Sequence, residues 1–258
     1  MILDEIVRRK REDLLKKDFK SINEYKEIVS SLSKPISFYK AMKKDGLSII
    51  GEVKKASPSR GVIRENFYPM EIAKEYEHAV DAMSILTEEN YFLGKLSYIN
   101  EISKTCALPI LRKDFIINER EIYEGRISGA SAILLIVAIL SQSELKYFIK
   151  LTKELNMDPL VEAHDKEEVE RALKAGADII GINNRNLIDF SEDLNTTLRL
   201  RKFIPEDKVI ISESAIRERE HIEILNKAKI NGILVGESFM RSDNIKEKAE
   251  SFKNAFKG

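Results

Sequence analysis

Charged side chains follow short apolar runs at several places in the chain, and two of them could act as a pair. In Ile50-Gly51-Glu52-Val53-Lys54, the alternation of a β-strand places Glu52 and Lys54 on one face. A carboxylate beside an ammonium could bind a substrate and move a proton, or could be a salt bridge that closes the strand end. Residues 55–61 then supply hydroxyls, a proline turn and a glycine, a composition that suits an anion-binding loop.

Lys113 and Glu162 extend two further apolar runs. Phe115 has the same parity as Lys113, so a cation and an aromatic ring could face one ligand. Burial of Glu162 at the end of its run would raise its pKa towards the range that suits proton transfer. The alternatives are a solvated loop around Lys113 and a structural carboxylate at position 162. His164 also lies at this strand end, where the pattern does not favour a catalytic role.

Polar residues also follow the last three apolar runs. Asn183 and Arg185 share a face and could hydrogen-bond substrate hydroxyls, or could cap a loop. Ser214 and Gly236 lie where barrels often hold phosphate with backbone amides. They could equally be helix caps, and Glu213 could be a salt-bridge partner. The sequence has no Gly-x-Gly-x-x-Gly or Walker motif, so the usual signal for nucleotide binding is missing.

The elements that position these residues follow from the alternation of apolar runs and amphipathic stretches after residue 47, which is typical of repeated βα units. Polar residues follow seven of eight runs, whereas an open doubly wound sheet would gather its ligand groups near one switch point. We therefore predict an α/β fold, a (β/α)8 TIM barrel, within one domain spanning residues 1–258, of which 1–45 form an N-terminal helical extension with a break near 33–35. The predicted strands are 47–53, 82–86, 109–111, 132–137, 158–161, 178–182, 208–212 and 231–235, and predicted helices include 70–79, 119–128, 141–155, 167–175 and 217–226.

Composition limits the function classes. The 258 residues carry 43 basic and 43 acidic side chains, so no net charge attracts nucleic acid or an anionic membrane, and phosphate recognition would have to be local. Cys106 is the only cysteine and cannot form an internal disulfide, and with three histidines it cannot build a familiar structural zinc site. The charged N-terminus lacks the apolar centre of a signal peptide, and no run reaches membrane-spanning length. We expect a cytoplasmic protein.

The segments that carry these residues resemble, in the same order, the indole-3-glycerol-phosphate synthase family of tryptophan biosynthesis. The resemblance covers essentially the whole chain and is concentrated at the strand ends, in 2–7, 52–61, 86–92, 111–115, 161–162, 181–187, 212–216 and 235–238. It implies a lyase that closes the indole ring of 1-(2-carboxyphenylamino)-1-deoxyribulose 5-phosphate with loss of carbon dioxide and water. It implies no cofactor and no metal. Association with other enzymes of the tryptophan pathway is an open possibility.

The resemblance also implies roles for individual residues. Lys113 is similar to the family's general acid, Glu162 to its acid/base partner, and Lys54 to the lysine that holds the substrate carboxylate and assists dehydration. Nearby carboxylates and a phosphate favour the charged form of both lysines, which suits acids better than Schiff-base nucleophiles. Asn183 matches a residue that orients the sugar chain, with Glu52 beside Lys54 and Glu213 as a further active-site carboxylate. The remaining matches are Arg185 in the adjacent pocket, Ser57, Ser214, Ala215, Gly236 and Glu237 at the phosphate, and Phe92, Phe115, Leu134 and Leu187 around the aryl ring.

The sequence differs from the family at one site position, and two other functions fit the same pattern. Ala215 occupies a position where the family usually has glycine, so a positive φ there would strain the phosphate loop. One rival is another phosphate-binding barrel enzyme, such as a sugar-phosphate isomerase or a Schiff-base aldolase. The other is a catalytically idle barrel that binds a phosphorylated ligand or a partner protein.

Overall fold

Eight parallel strands form a closed barrel, in which the first strand pairs with both the second and the eighth. The computed structural model describes residues 2–186 and 190–257. The predicted (β/α)8 fold is therefore confirmed. The strands are β1 Ser48–Val53, β2 Ala82–Leu86, β3 Ile110–Lys113, β4 Ala132–Ile136, β5 Asp158–Ala163, β6 Ile179–Asn183, β7 Val209–Glu213 and β8 Gly232–Val235.

Helices alternate with the strands, and three more precede the barrel. Local signals explain several helix ends. Ser141 and Glu144 form the reciprocal capping box that the sequence predicts, and Gly176 ends its helix at a φ of 91°. The helices are α1 Ile2–Lys16, α2 Ile22–Ser30, α3 Phe38–Met42, α4 Pro69–Tyr76, α5 Leu96–Ile102, α6 Glu119–Ser128, α7 Gln142–Glu154, α8 Lys166–Ala175, α9 Asn195–Arg201, α10 Arg219–Asn226, α11 Glu237–Met240 and α12 Ile245–Lys257.

Four strands extend further than the sequence predicts. β3 ends at Lys113, β5 at Ala163, β6 at Asn183 and β7 at Glu213, one or two residues beyond the predicted end of each run. The polar residues in these extensions contact one another inside the barrel, as Lys113 does with Glu162 and Glu213. Lys113, Glu162, Asn183 and Glu213 thus lie on strands rather than in loops, which fixes their positions more firmly, whereas Lys54 follows the end of β1.

The interior of the barrel changes character along its axis. Two-residue alternation sends Ile50, Leu111 and Leu160 into the apolar lower layer and sends Glu52, Lys113 and Glu162 into the layer above it. Phe38 and Met42 of α3 are fully buried beneath the apolar layer, so the barrel is closed at the amino ends of its strands. The charged layer opens only at the carboxyl ends.

The N-terminal segment also confirms its predicted break, which lies between α2 and α3. A short hairpin that pairs 56–57 with 61–62 follows β1 and was not predicted. None of the helices in the described residues is long and apolar enough to cross a membrane.

Candidate active site

A cleft with about 1180 Å³ of space, part of it open to solvent, lies at the carboxyl ends of the strands. Leu187 lies outside the described residues. All the other predicted site residues line this cleft: Glu52, Lys54, Ser57, Phe92, Lys113, Phe115, Leu134, Glu162, Asn183, Arg185, Glu213, Ser214, Ala215, Gly236 and Glu237. Residues from all eight strand ends, far apart in the sequence, therefore surround one space.

Lys113 is at the centre of a chain of charged contacts across the barrel. Its Nζ lies 3.0 Å from Oε2 of Glu162 and 3.6 Å from Oε2 of Glu213. Asn183 donates from Nδ2 to the other Glu162 oxygen at 3.1 Å. Burial would lower the pKa of Lys113, but Glu162, Glu213 and Glu52 outweigh it and raise that pKa above its ordinary value. Lys113 is protonated at neutral pH, as the sequence predicts.

The prediction that the pKa of Glu162 lies above its ordinary value is wrong. Burial does act in that direction, but the Lys113 ammonium, His164 and the Asn183 amide together hold the pKa below its ordinary value. Glu162 is therefore an ionised carboxylate at neutral pH. The sequence shows that Glu162 is buried, but it does not show which cations lie beside it.

Glu213 is the carboxyl group whose pKa is raised, to about 8. Burial is the main cause, and the neighbouring Glu162 and Glu52 carboxylates add to it, while Lys113 acts in the opposite direction. Its Oε1 is buried and makes no hydrogen bond to a described residue. That oxygen lies against Gly181, where the Cβ of any other residue would overlap it. Glycine at 181 thus makes the room that Glu213 occupies.

The paired charges predicted at the end of β1 form an ion pair between Glu52 Oε2 and Lys54 Nζ. Gly236 makes room for this pair as Gly181 makes room for Glu213, because a Cβ at Gly236 would overlap the Glu52 carboxylate and approach Lys54. Glycine at 236 is required by this close approach, and its φ is negative. The pair lies at the mouth, where a substrate carboxylate could displace Glu52 from Lys54.

One wall of the cleft is apolar. The rings of Phe92 and Phe115 lie 6.0 Å apart at 41°. Leu134 completes this wall from β4. Glu88, just after β2, accepts three backbone N–H groups of residues 90–92 and so fixes the loop that carries Phe92.

The opposite end of the cleft carries hydroxyls, loop backbone and arginines. Ser214 and Ala215 have φ of 65° and 61°, so the positive φ considered for Ala215 is present. Arg185 donates to Ser59 Oγ at 3.1 Å and pairs with Glu192, which also pairs with Arg217. Cations from two loops therefore lie near this end.

Several lining residues were not singled out in the sequence. Ile2, Leu3 and Ile6 of α1 line the cleft, as does Arg217 in the loop after β7. The apolar spacing of α1 predicts a helix but not the surface it covers. Asn184 was also missed. Its Nδ2 donates to the Glu213 and Ser214 carbonyls and so fixes the end of β7.

The chain matches the family model described as "Indole-3-glycerol phosphate synthase" over residues 3–252. The chain belongs to the indole-3-glycerol phosphate synthase family. A curated indole-3-glycerol phosphate synthase from Acetivibrio thermocellus is 50% identical, covering 98% of this chain and 99% of the relative. Another from Endomicrobium trichonymphae is 46% identical, covering 98% of this chain and all of the relative. Membership makes the chain an enzyme of the carboxy-lyase class in aromatic amino-acid biosynthesis, which confirms the predicted activity.

Solved structures outside the indole-3-glycerol phosphate synthase family share the fold alone. The 3-hexulose-6-phosphate synthase of Salmonella typhimurium superposes with a TM-score of 0.65 at 14% identity, covering 81% of this chain and 98% of that one. KGPDC from Streptococcus mutans gives a TM-score of 0.63 at 12% identity, covering 83% of this chain and 98% of that one. At such low identity the likeness shows a shared barrel fold and carries no argument about the site.

Proposed function

We propose that the chain closes the indole ring of 1-(2-carboxyphenylamino)-1-deoxyribulose 5-phosphate, releasing carbon dioxide and water and giving indole-3-glycerol phosphate. The observation that carries this proposal is the position of the Lys113 ammonium. It lies between two carboxyl groups and beside the aromatic wall formed by Phe92 and Phe115. An acid next to an aryl site is what a ring closure onto a carbonyl carbon needs.

Lys113 acts as the general acid in this proposal. It protonates the substrate carbonyl oxygen as the aryl carbon attacks the carbonyl carbon, and loss of carbon dioxide from the same aryl carbon restores the aromatic ring. Glu162 is ionised and hydrogen-bonded to Lys113, so it accepts the proton that the new ring loses in the dehydration that follows, while Lys54 donates a proton to the hydroxyl that leaves as water. Glu213 is protonated below about pH 8, so it places no second negative charge beside the Lys113–Glu162 pair.

The remaining contacts bind and orient the substrate. Lys54 holds the substrate carboxylate in competition with Glu52. When that carboxylate leaves as carbon dioxide, the Lys54–Glu52 pair forms again. Asn183 orients the sugar chain beside Glu162. The aryl ring lies against the apolar wall.

Phosphate binds at the other end of the cleft in this proposal, among Ser57, Ser214 and Gly236, with Ala215 and Glu237 supplying loop backbone. Loops after the seventh and eighth strands are the common phosphate site of barrel enzymes. The nearby arginines add positive charge, which a phosphate dianion favours.

The experiment that tests the function supplies the carboxyphenylamino substrate and follows indole fluorescence. We expect turnover by the parent chain, a loss of about 10²- to 10⁴-fold in Glu162→Gln, and no change in Lys104→Met, which removes an exposed lysine as a control. Absence of indole product with the parent chain would contradict the proposal. Trapping of the substrate on a lysine by borohydride would instead favour Schiff-base chemistry.

We also propose that the enzyme works in the cytoplasm, because a lone cysteine suits a reducing compartment. Association with other tryptophan-pathway enzymes stays a prediction. Co-elution of purified partners in size-exclusion chromatography tests it.

A further inference from the structure

His164 lies beside the catalytic carboxylate and has no role in the mechanism described above. It follows Glu162 by two residues at the end of β5, so both side chains point to the same side of the sheet. Only 15% of its side chain is exposed. A buried imidazole between carboxylates must serve either the fold or the site.

The ring of His164 bridges two carboxylates. Its Nε2 lies 3.3 Å from Glu162 Oε1, an ion-pair distance without an aligned hydrogen bond. Its Nδ1 lies 3.0 Å from Glu168 Oε2 on α8. The same Glu168 oxygen accepts the backbone N–H of His164 at 2.8 Å. Glu168 therefore holds both the backbone and the ring.

Glu168 is itself fixed by the start of its helix. The side chain of Asp165 caps α8 by accepting the Glu168 backbone N–H at 2.9 Å. The path from the helix cap to the catalytic carboxylate is thus continuous, running through Asp165, Glu168 and His164 to Glu162.

We propose that His164, held by Glu168, is a positioning residue that fixes Oε1 of Glu162 so that Oε2 stays directed at Lys113. The contacts of Glu162 divide in this way. Lys113 contacts Oε2, while His164 and Asn183 share Oε1. With His164 removed, a single amide hydrogen bond would hold Oε1, and the carboxylate could rotate away from Lys113.

The charge on the ring strengthens this contact. Burial would lower the pKa of His164, but the neighbouring carboxylates of Glu162 and Glu168 raise it to about 10. The imidazole is therefore cationic at neutral pH, and Glu162 lies between two cations. His164 donates no proton to the substrate in this arrangement and acts through Glu162 alone.

The inference rests on the proposed role of Glu162. The test therefore compares His164→Leu and Glu168→Gln with Glu167→Gln, a matched control at the neighbouring exposed position. We expect kcat to fall about 10- to 100-fold in the first two variants, because small misplacements of a catalytic group have effects of this size. KM should change less than about threefold, since neither side chain lines the substrate cleft. Glu168→Gln keeps the imidazole but weakens the contact that holds it, and it gives a second result if His164→Leu folds poorly.

A double-mutant cycle shows whether His164 acts through Glu162. On a Glu162→Gln background, His164→Leu should lower the residual kcat no further, because the group it positions is already gone. An unchanged kcat in both His164→Leu and Glu168→Gln, or the full additional loss on the Glu162→Gln background, would overturn the inference. Full activity of Glu162→Gln alone would mean that the proposed function of Glu162 is wrong, and the inference would fail with it.

Discussion

The two faces of β3 carry two clusters of buried charge that are paired to different extents. On the outer face, Arg112 and Asp114 meet Lys10 of α1 and Glu121 of α6. Asp114 accepts from Lys10 at 2.7 Å, from Thr87 at 2.6 Å and from Arg112 at 3.0 Å. Burial would raise the pKa of Asp114, but Lys10 and Arg112 hold it well below its ordinary value. This cluster is balanced, with two cations and two carboxylates.

The inner face, one residue along the same strand, is not balanced. Lys113 serves Glu162 and Glu213 together, and Glu213 Oε1 has no hydrogen-bond partner among the described residues. The outer cluster therefore stabilises the fold, and the inner cluster contains the charges that can react. Complete pairing fixes the outer groups in one protonation state, whereas incomplete pairing leaves Glu213 able to titrate near neutral pH.

The largest effect is expected from removing the cation on the inner face. Lys113→Met should lower kcat by about 10²- to 10⁴-fold, the usual contribution of a general acid, with little loss of stability because the pKa of Glu162 can rise in response. Indole fluorescence gives kcat, and thermal unfolding gives stability. Nearly full activity in a folded Lys113→Met protein would contradict the role assigned to Lys113.

A methionine at the preceding residue should instead lower stability and leave kcat nearly unchanged. Arg112→Met leaves Asp114 and Glu121 short of a buried cation and removes a hydrogen bond to the Glu121 carbonyl. We expect the free energy of unfolding to fall by about 3–5 kcal/mol, with kcat of the folded protein within a few-fold of the parent. Urea unfolding measures the first quantity. A large kcat loss with unchanged stability would show that the two faces are not separate.

Gly181→Ala tests the room reserved for Glu213. The added Cβ would overlap Oε1 and displace the carboxyl group, so kcat/KM should fall by up to about 10²-fold. Gly176→Ala is the matched control, because its Cβ meets no atom within 4 Å and the strain of its positive φ affects stability alone. Equal activity losses in both variants would contradict the argument from close approach.

The pH profile should distinguish the clusters more finely. A pKa of about 8 leaves Glu213 protonated below that pH and ionised above it. If the neutral form keeps Lys113 directed at Glu162, kcat/KM should fall about tenfold per pH unit above pH 8, since this parameter reports the free enzyme. Glu213→Gln should lack this descending limb. A rise in kcat/KM through the same pH range would show that the ionised form is the active one.

The sequence predicts the barrel and the inner face well because both depend on local patterns. Apolar runs with two-residue alternation locate the strands, and the same parity carries Glu52, Lys113 and Glu162 to the mouth. The outer cluster could not be predicted, because Lys10 lies 104 residues from Asp114 and no local pattern joins them. For the same reason the sequence does not show that α1 covers the cleft. It also assigns the raised pKa to the wrong carboxyl group, since Glu162 and Glu213 are both buried and the cations beside Glu162 decide the difference.

The smallest effect is expected at Ala215, where the sequence departs from the glycine usual in the family and where φ is 61°. A left-handed conformation costs a residue with a Cβ roughly 1–2 kcal/mol, whereas glycine loses about 0.5–1 kcal/mol of extra chain entropy on folding. Ala215→Gly should therefore raise stability by at most about 1.5 kcal/mol, and each kcal/mol corresponds to a Tm increase of about 2–4 °C. KM should stay unchanged because the loop already has the conformation that glycine prefers. Ala172→Gly, inside α8, is the control and should lower Tm. A lower Tm in Ala215→Gly would mean that packing of the methyl group outweighs the backbone strain, and the phosphate end would then be relaxed rather than strained.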